Sequence, residues 1–328
     1  MSIYGISSIM GPPLSLVTTG YLSSVKGFRV MAWALMGITG GFWIIMLATL
    51  PETRHTAILD RKIRRLNKTL RSEGIEKQIF DANADEKKSL HTLLFTNLTR
   101  PLRFLFTEPI TICAAIYNGF IFGVVFLLNE AFPLVFGPGG HNFNTGEVGL
   151  TFAGLVIGAI VGGLIYPIQE RYYHRAVAAN GGKSVPEARM WMARGGAILM
   201  PISLFWFAWT SYSSVPWIVP VIASAFFGIG IYLVILSFLS YVVDSYQTYS
   251  ASSLAGVILV RNLVGAGFPL FSTQMFLRLG NEWASTLLAF LALALVPIPF
   301  VFFHWGARIR MASPFASQHF GEEEDRPH

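Results

Sequence analysis

Residues 195–243 read GGAILMPISLFWFAWTSYSSVPWIVPVIASAFFGIGIYLVILSFLSYVV, a stretch of 49 consecutive positions without an Asp, Glu, Lys or Arg. An α-helix needs about 20 apolar residues to cross the hydrocarbon core of a bilayer, so this stretch is long enough to cross twice. The polar segment Ser211–Pro216 divides it into two parts. The stretch therefore predicts two transmembrane helices joined by a short turn.

Six further apolar runs flank this one. They cover Ser2–Val25, Val30–Leu50, Pro109–Asn129, Val148–Gln169, Ser245–Leu277 and Trp283–Phe303. Only the run at 245–277 contains a charged residue, Arg261. Each run has the length that one crossing requires. The sequence therefore predicts an all-α, polytopic membrane protein with eight transmembrane helices.

The Lys and Arg residues lie almost entirely on alternate connections between these runs. The connection Glu52–Glu108 holds 12 of them, Arg171–Arg194 holds 5 and the tail holds 3, whereas the opposite connections hold only 3. Loops rich in Lys and Arg stay on the cytoplasmic side of a membrane protein. We therefore expect the basic connections and both chain termini to be cytosolic.

Composition disfavours soluble classes of protein. Hydrophobic residues make up 53% of the 328 positions and charged residues only 13%, against roughly 25% charged residues in soluble domains. The basic excess lies beside the predicted membrane ends, so anionic lipid rather than nucleic acid is its expected partner. The single cysteine, Cys113, cannot form an intrachain disulfide.

Other functional classes find little support in the sequence. The seven histidines never stand at metal-ligand spacing, and we find neither a phosphate-binding glycine loop nor a pair of catalytic carboxylates. We therefore expect no enzymatic activity, no metal and no cofactor. A receptor would be expected to carry an outer disulfide and a channel a repeated pore segment, and neither pattern is seen.

Several short motifs resemble those of one transporter family. Pro51-Glu52-Thr53 leaves the second run, and the basic segment 58–66 follows it. Further matches occur in order at residues 130–133, 186–189, 205–210, 241–246 and 267–271. Together they resemble fungal major facilitator superfamily transporters of the drug:proton antiporter group, which has twelve spans and includes multidrug and polyamine exporters.

The resemblance implies two six-helix bundles with a substrate site between them near the membrane midplane. Counted from the central loop, residues 1–50 correspond to the last two helices of the N-terminal bundle and 51–108 to a basic cytosolic loop. Residues 109–305 correspond to a complete C-terminal bundle and 306–328 to a cytosolic tail. On this count, the chain is expected to lack the first four helices of the family fold.

The function implied by the resemblance is transport of a small molecule, such as a drug or a polyamine-like cation. Proton-coupled export across the plasma membrane is the expected form of this transport. The expected partners are then the lipid bilayer, a cationic substrate and protons, with no obligate protein partner. The alternative is a non-transporting fragment of such a carrier, or another multi-span class such as a channel or a receptor.

Candidate substrate-binding residues follow from the cost of charge inside a membrane. A charged side chain in a span costs about 2.5–3.5 kcal/mol on insertion scales, so Glu130, next to an uncharged run, is a candidate partner for a cation. Tyr117, Asn118, Asn129 and Tyr241 are candidates for additional polar or cation–π contacts. A Glu130 that only caps its helix end at the interface is an equally good interpretation.

Asp244 and Arg261 are the other charged residues beside or within a span. They stand 17 positions apart across a tight turn, so we expect two antiparallel helices to bring them together as an ion pair. Such a pair is either static or changes partners during transport. If a proton is coupled to transport, Glu130 and Asp244 are the available carboxylates.

Two further patterns predict how the helices pack and lock. Small residues four apart allow close helix approach, and proline or glycine bends a helix. Gly154, Gly158 and Gly162 stand four apart in the fourth span. Gly11, Pro12 and Gly20 resemble the antiporter signature of the family's fifth helix, which implies bending and close packing there. An acidic-basic pattern after the fourth span resembles the superfamily motif that joins helix ends into a cytosolic latch, although a solvated anchor fits equally well. Its members are Glu170, Arg171, Arg175, Glu187 and Arg189.

Overall fold

The computed structural model describes residues 2–52, 55–72 and 90–317. Within these ranges every regular element is a helix, which confirms the predicted all-α fold. The chain divides into two compact units. Among the described residues, the larger unit comprises 2–27 with 99–317, and the smaller one comprises 28–52, 55–72 and 90–98.

Helix α1 (Ser2–Thr49) contributes its first half to the larger unit and its second half to the smaller one. At Gly27 the backbone leaves helical geometry, with φ 78° and ψ 169°, a conformation that is strained for any residue with a side chain. A helix of 48 residues is about 70 Å long, more than one bilayer crossing. The break at Gly27 therefore divides α1 into the two predicted spans.

The smaller unit also contains α2 (His55–Ser72) and the beginning of α3 (Leu90–Thr107). The larger unit holds eight further helices. In chain order they are α4 (Pro109–Phe136), α5 (Thr145–Thr151), α6 (Ala153–Ala179), α7 (Trp191–Thr210), α8 (Ile218–Tyr246), α9 (Ser250–Gly267), α10 (Pro269–Leu295) and α11 (Pro297–Met311). Short 3-10 turns at Pro186–Met190 and Gln247–Tyr249 lead into α7 and α9.

Seven helical stretches among the described residues are long and apolar enough to span a membrane. Two of them, of 41 and 43 residues, are long enough for two crossings each. The second, Pro269–Met311, is broken at Gly280, where φ is 79° and ψ is 161°. The segment Pro269–Leu279 is too short to cross alone, so it completes the crossing that α9 begins. Counted in this way, the helices form approximately the eight crossings that the sequence predicts.

The last helix is longer than its apolar run. The run ends at Phe303, whereas α11 continues for about two more turns to Met311. These turns carry Arg308 and Arg310, and charged helix ends of this kind extend beyond the hydrocarbon core. The sequence predicted that the bundle ends at residue 305 and that the tail begins at 306. This boundary lies inside α11.

The helices of the larger unit pack closely where small residues meet. Helix α8 packs against α6 and α7, while α9 packs against α4 and α10 against α7. Gly154, Gly158 and Gly162 of α6 all face α8. At Gly158 the two helix backbones touch, because Ala225 and Gly228 of α8 lie directly opposite.

The first half of α1 belongs to the same unit and contacts it through glycines. Gly20 lies beside Gly149 of α5, and Gly5 lies beside Leu236 of α8. Gly11 faces open space and Pro12 is exposed. Of the three positions at which the sequence predicted bending or packing in α1, Gly20 is therefore the one at a close helix contact.

Candidate functional site

An ionic cluster of three side chains joins the ends of membrane helices. Arg189 donates from Nε to Oδ2 of Asp244 and from Nη1 to both carboxylate oxygens of Glu170, each at 2.8 Å. The side chains of Arg189, Asp244 and Glu170 are 12%, 18% and 28% exposed. We call these residues the ionic cluster and the end of the larger unit at which they lie the ionic end. The cluster fastens α6, the turn before α7, and α8 to one another.

Gln169 holds the backbone that carries Arg189. It is fully buried, donates from Nε2 to the carbonyl oxygen of Ala188 at 2.7 Å, and accepts from the backbone N–H of Met192 at 3.0 Å. These two bonds clamp the turn Pro186–Met190 onto α6. Sequence reasoning missed Gln169, although an amide that closes a long uncharged run is a signal of such a role.

Tyr173 supports the ionic cluster from the next turn of α6. Its ring centre lies 3.5 Å from the guanidinium carbon of Arg189, a close cation–π contact. The same tyrosine is within hydrogen-bonding distance of Ser184, with 3.2 Å between the two hydroxyl oxygens. Arg189 is thus held by two carboxylates at its edge and by an aromatic ring on its face. The sequence did not single out Tyr173, because its partners are distant in the chain.

The predicted latch residues separate into three groups. Glu170 and Arg189 come together in the ionic cluster, as described above. Arg171 and Arg175 are exposed, because on α6 they are rotated about 100° and 140° away from Glu170. Glu187 pairs with a residue that the sequence did not single out. The structure therefore places only two of the five in this cluster.

The predicted ion pair between Asp244 and Arg261 is wrong, because Asp244 binds Arg189 instead. Asp244 lies two residues before the end of α8, whereas Arg261 lies eleven residues into α9, about 16 Å along its axis. The two side chains are therefore at different depths of the helix bundle. The guanidinium carbon of Arg261 lies 4.2 Å from the ring centre of Phe122.

A second buried ion pair joins Glu187 to α11. Arg310 donates from Nε and Nη2 to Oε1 of Glu187 at 3.0 and 2.7 Å, and the two side chains are only 9% and 15% exposed. Tyr241 lies beside this pair, fully buried and 5.4 Å from Phe302 between ring centres. Tyr241 is thus enclosed among helix ends at the ionic end. The pair ties the turn before α7 to the last helix.

A third polar group, the tail cluster, consists of Glu108, Tyr246 and Ser313. The hydroxyl of Tyr246 donates to Oε2 of Glu108 at 2.9 Å, and the hydroxyl of Ser313 donates to the same oxygen. Glu108 is fully buried at the N-cap of α4. The chain after α11 is therefore attached to the first helix of the bundle. The sequence assigned Glu108 to a loop, which concealed this role.

Replacing Ser313 with aspartate is expected to detach this segment, because two carboxylates would then meet in a buried site. Ala316, which is fully buried beside Ser313, reports the change. In an Ala316→Cys, Cys113→Ser background, maleimide should label residue 316 much faster in Ser313→Asp than with Ser313 intact. Ser313→Ala, which removes one hydrogen bond without adding charge, should have a smaller effect. Equal labelling in all three proteins would contradict the tail cluster.

The predicted substrate-binding residues do not meet in one cavity. Tyr117 and Asn118 are buried inside the bundle, where Tyr117 packs 5.3 Å from Phe238 between ring centres and Asn118 donates to the carbonyl oxygen of Ala114. Glu130, by contrast, is exposed. It is 13 residues beyond Tyr117 on α4, which places it about 20 Å away and about 140° around the helix.

Asn129 is partly exposed, one residue before Glu130 and hence on the same stretch of α4. Tyr241 lies at the ionic end, from which α4 starts, whereas Asn129 and Glu130 lie towards the far end of that helix. These side chains therefore belong to opposite ends of the bundle. A substrate of ordinary size cannot touch all of them.

Comparison with known proteins places this architecture in a family. The family model of the Major Facilitator Superfamily matches residues 1–269. The efflux pump FUB11 of Gibberella fujikuroi is 37% identical over 318 residues, which cover 97% of this chain and 55% of the relative. The MFS-type efflux pump MFS2 of Trichophyton rubrum is 38% identical over 321 residues, covering 97% and 53%.

The major facilitator superfamily multidrug transporter mdrA of Aspergillus fumigatus is 36% identical over 318 residues, covering 97% of this chain and 52% of the relative. The chain thus spans about half the length of these curated relatives. No solved structure gives a significant match. The family model covers most of the chain. The apolar helices of the chain form the membrane-spanning bundle expected of such proteins. This chain therefore belongs to the Major Facilitator Superfamily.

Proposed function

We propose that this multi-pass membrane chain forms part of a carrier that moves small molecules across a membrane by alternating access. Family membership supports the proposal, as do the relatives, which are named efflux pumps and a multidrug transporter. In carriers of this kind the helix bundle rocks between two states, and each state closes one side of the membrane. A bundle that rocks as a body must therefore carry contacts that keep its helices together.

The ionic cluster is the observation that best supports this mechanism. Arg189 binds two carboxylates from two different helices, so all three helix ends must move together while the cluster is intact. Breaking a partly buried cluster of this kind costs several kcal/mol. In the proposed carrier, the cluster therefore keeps the ionic ends of α6, α7 and α8 together, so that this part of the bundle moves as one body.

The membrane orientation of the chain is part of the same proposal. In the larger unit, Arg100 and Arg103 precede α4, Arg171 and Arg175 end α6, and Arg308 and Arg310 end α11, all at the ionic end. In the proposal this end faces the cytosol, and both termini lie on the same side. Residues 1–50 would then supply the last two helices of the N-terminal bundle, and residues 51–108 the central loop. Export across the plasma membrane is part of the same proposal, and the relatives named efflux pumps support the direction of transport.

Glu130 is the carboxylate predicted to bind a cationic substrate and, if transport is coupled to protons, to carry the proton. Both roles remain predictions. The exposed position of this carboxylate, six residues before the end of α4, agrees with either a helix-end role or a contact with a passing substrate. Cysteine substitution is a direct test of the local geometry. A reagent that cannot cross the membrane should modify Glu130→Cys from the outside of intact cells if the proposed orientation is right.

Transport can be tested by efflux of rhodamine 6G from yeast cells that express this chain. We expect dye to leave these cells faster than cells without the chain, and Arg189→Gln to lower the rate at equal expression. Because the chain covers about half of its relatives, a second strain should also express the part of the Gibberella fujikuroi pump that the chain does not match. Background efflux in both strains would contradict the proposed function.

A further inference from the structure

An apolar groove runs along α11, between this helix and the start of α4. Its lining consists of proline, cysteine, isoleucine, valine, phenylalanine and alanine, and its volume is about 320 Å³. This volume is within the range of sites that bind small molecules. Along α11 the lining extends from Pro297 to Ala312, a length of about 22 Å. The groove therefore suits a long apolar chain better than a polar solute.

The groove is open along its length. Pro297, Val301 and Ala312 on α11 and Pro109 on α4 are exposed, whereas Phe302 is only 2% exposed and forms the floor. In the proposed carrier α1 comes from the other bundle, and its first half packs on α5 and α8, which do not line the groove. The opening therefore lies away from this contact, on a side of the bundle that faces lipid.

The groove extends from the level of the lipid headgroups into the hydrocarbon core. The apolar run ends at Phe303, so residues 297–302 lie in the core, whereas Ile309 and Ala312 lie at the charged end of α11. Trp305 stands between these levels and is 53% exposed, and tryptophan is enriched where the core meets the headgroups. Half of the core is about 15 Å thick, so the groove spans one leaflet and the adjoining headgroup layer.

Arg308 lies on the groove side of α11, at the charged end. Viewed along the helix axis, the lining residues of α11 occupy an arc of about 140°, and Arg308 falls within this arc. Arg310 is about 160° further around the helix and binds Glu187 instead. Glu108 adjoins the same end of the groove, but it is fully buried in the tail cluster. The exposed Arg308 therefore gives this mouth of the groove a positive charge.

We propose that this groove binds one anionic phospholipid from the leaflet at the ionic end. An acyl chain lies along the groove from Ile309 to Pro297, and the headgroup reaches Arg308. Burial of the chain supplies apolar binding energy, and an arginine at the membrane surface favours an anionic headgroup. In the proposed orientation this is the cytosolic leaflet, which carries the anionic lipids. The site requires that the chain span a membrane and does not depend on transport.

Native mass spectrometry of the full chain in neutral detergent tests the headgroup preference. The probes are phosphatidylserine and phosphatidylcholine with the same acyl chains. We expect one phosphatidylserine per chain to bind about fivefold more tightly than phosphatidylcholine, the effect of one surface arginine. Arg308→Gln should make the two dissociation constants nearly equal. Arg171→Gln removes an exposed arginine of α6 at the same end and should keep the preference.

Ala312→Trp tests the location of the site, because the indole ring would fill the exposed mouth of the groove. This variant should bind both lipids about tenfold more weakly. Ala307→Trp is the matched control. Ala307 is also exposed on α11, but it lies about 140° around the helix from Ala312, so the same change there should leave lipid binding unaltered.

Equal affinity for the two lipids in the wild-type chain, an unchanged preference in Arg308→Gln, or wild-type affinity in Ala312→Trp would each overturn the proposal. A lipid-free dimer that Ala312→Trp dissociates and Ala307→Trp leaves intact would also overturn it, because a second copy would then occupy the groove. Lipid binding and rhodamine 6G efflux are independent measurements. Selective lipid binding without efflux rejects only the transport function, whereas efflux without selective lipid binding rejects only the lipid site.

Discussion

Replacing Arg189 with glutamine is expected to destabilise the folded protein by about 3 kcal/mol, the lower end of the range for breaking a buried ion pair. The reason is that Glu170 and Asp244 would remain close together, mostly buried and without their cation. Partial exposure of Glu170 allows some solvation and keeps the effect from being larger. The measurement is the midpoint of thermal unfolding in detergent, which should fall by several degrees.

Three further variants make the result specific. Arg171→Gln removes an exposed arginine from the same region and should change the midpoint little. Arg189→Lys should lie between wild type and Arg189→Gln, because lysine keeps the charge but cannot bind Glu170 and Asp244 in the same geometry. Adding Asp244→Asn to Arg189→Gln should cost less than Asp244→Asn alone, since the pair is already broken. Strict additivity would show that Arg189 and Asp244 do not interact.

Replacing Gly158 with alanine is expected to destabilise the protein by about 1–3 kcal/mol, as overpacking of a tight contact does. The added methyl group would overlap the carbonyl oxygen of Ala225 and approach Gly228, both parts of the α8 backbone. Backbone atoms cannot move aside as a flexible side chain can, so α6 and α8 would have to separate. The loss of stability is measured by titrating the detergent-solubilised protein with denaturant and comparing the free energies of unfolding.

Gly195 is a matched control for this substitution. It is also a helical glycine, at the start of α7, but a methyl group added there meets no atom within 4 Å. Gly195→Ala should therefore stabilise the protein, by up to about 1 kcal/mol, because alanine favours the helix. The same chemical change should thus have opposite signs at the two sites. A neutral result at Gly158 would mean that the helices are not in backbone contact.

Uncharged runs were sufficient to predict the helices, because a bilayer fixes the length and polarity of any segment that crosses it. The predicted gap between Leu277 and Trp283 contains Gly280, where the backbone indeed leaves the helix. The helix ends were harder to place. α11 continues past its apolar run, and in its last turn Arg310 pairs with Glu187. Nothing near Arg310 in the chain reveals that partner.

The pairing of charges could be predicted only in part. Glu170 directly precedes the predicted connection 171–194 and Arg189 lies within it, so their association was accessible from a local motif. Asp244 was assigned to Arg261 because the two are near in sequence, yet nearness across a turn does not set the depth of a side chain within a helix. Tyr117 and Glu130 were likewise predicted to form one site because they are near in sequence. They cannot do so, because they lie on different sides of α4.

The tail cluster also brings the two extremities of the six-helix bundle together. Ser313 follows the last helix and touches Glu108 at the start of the first, while Phe315 packs 4.7 Å from Phe104 between ring centres. In the isolated segment from Glu108 to Ser313, ends this close permit circular permutation, in which a short linker joins them and new termini are opened elsewhere. The exposed turn at Gly181–Gly182 is a suitable opening point, and the rearranged segment would preserve every helix of the bundle.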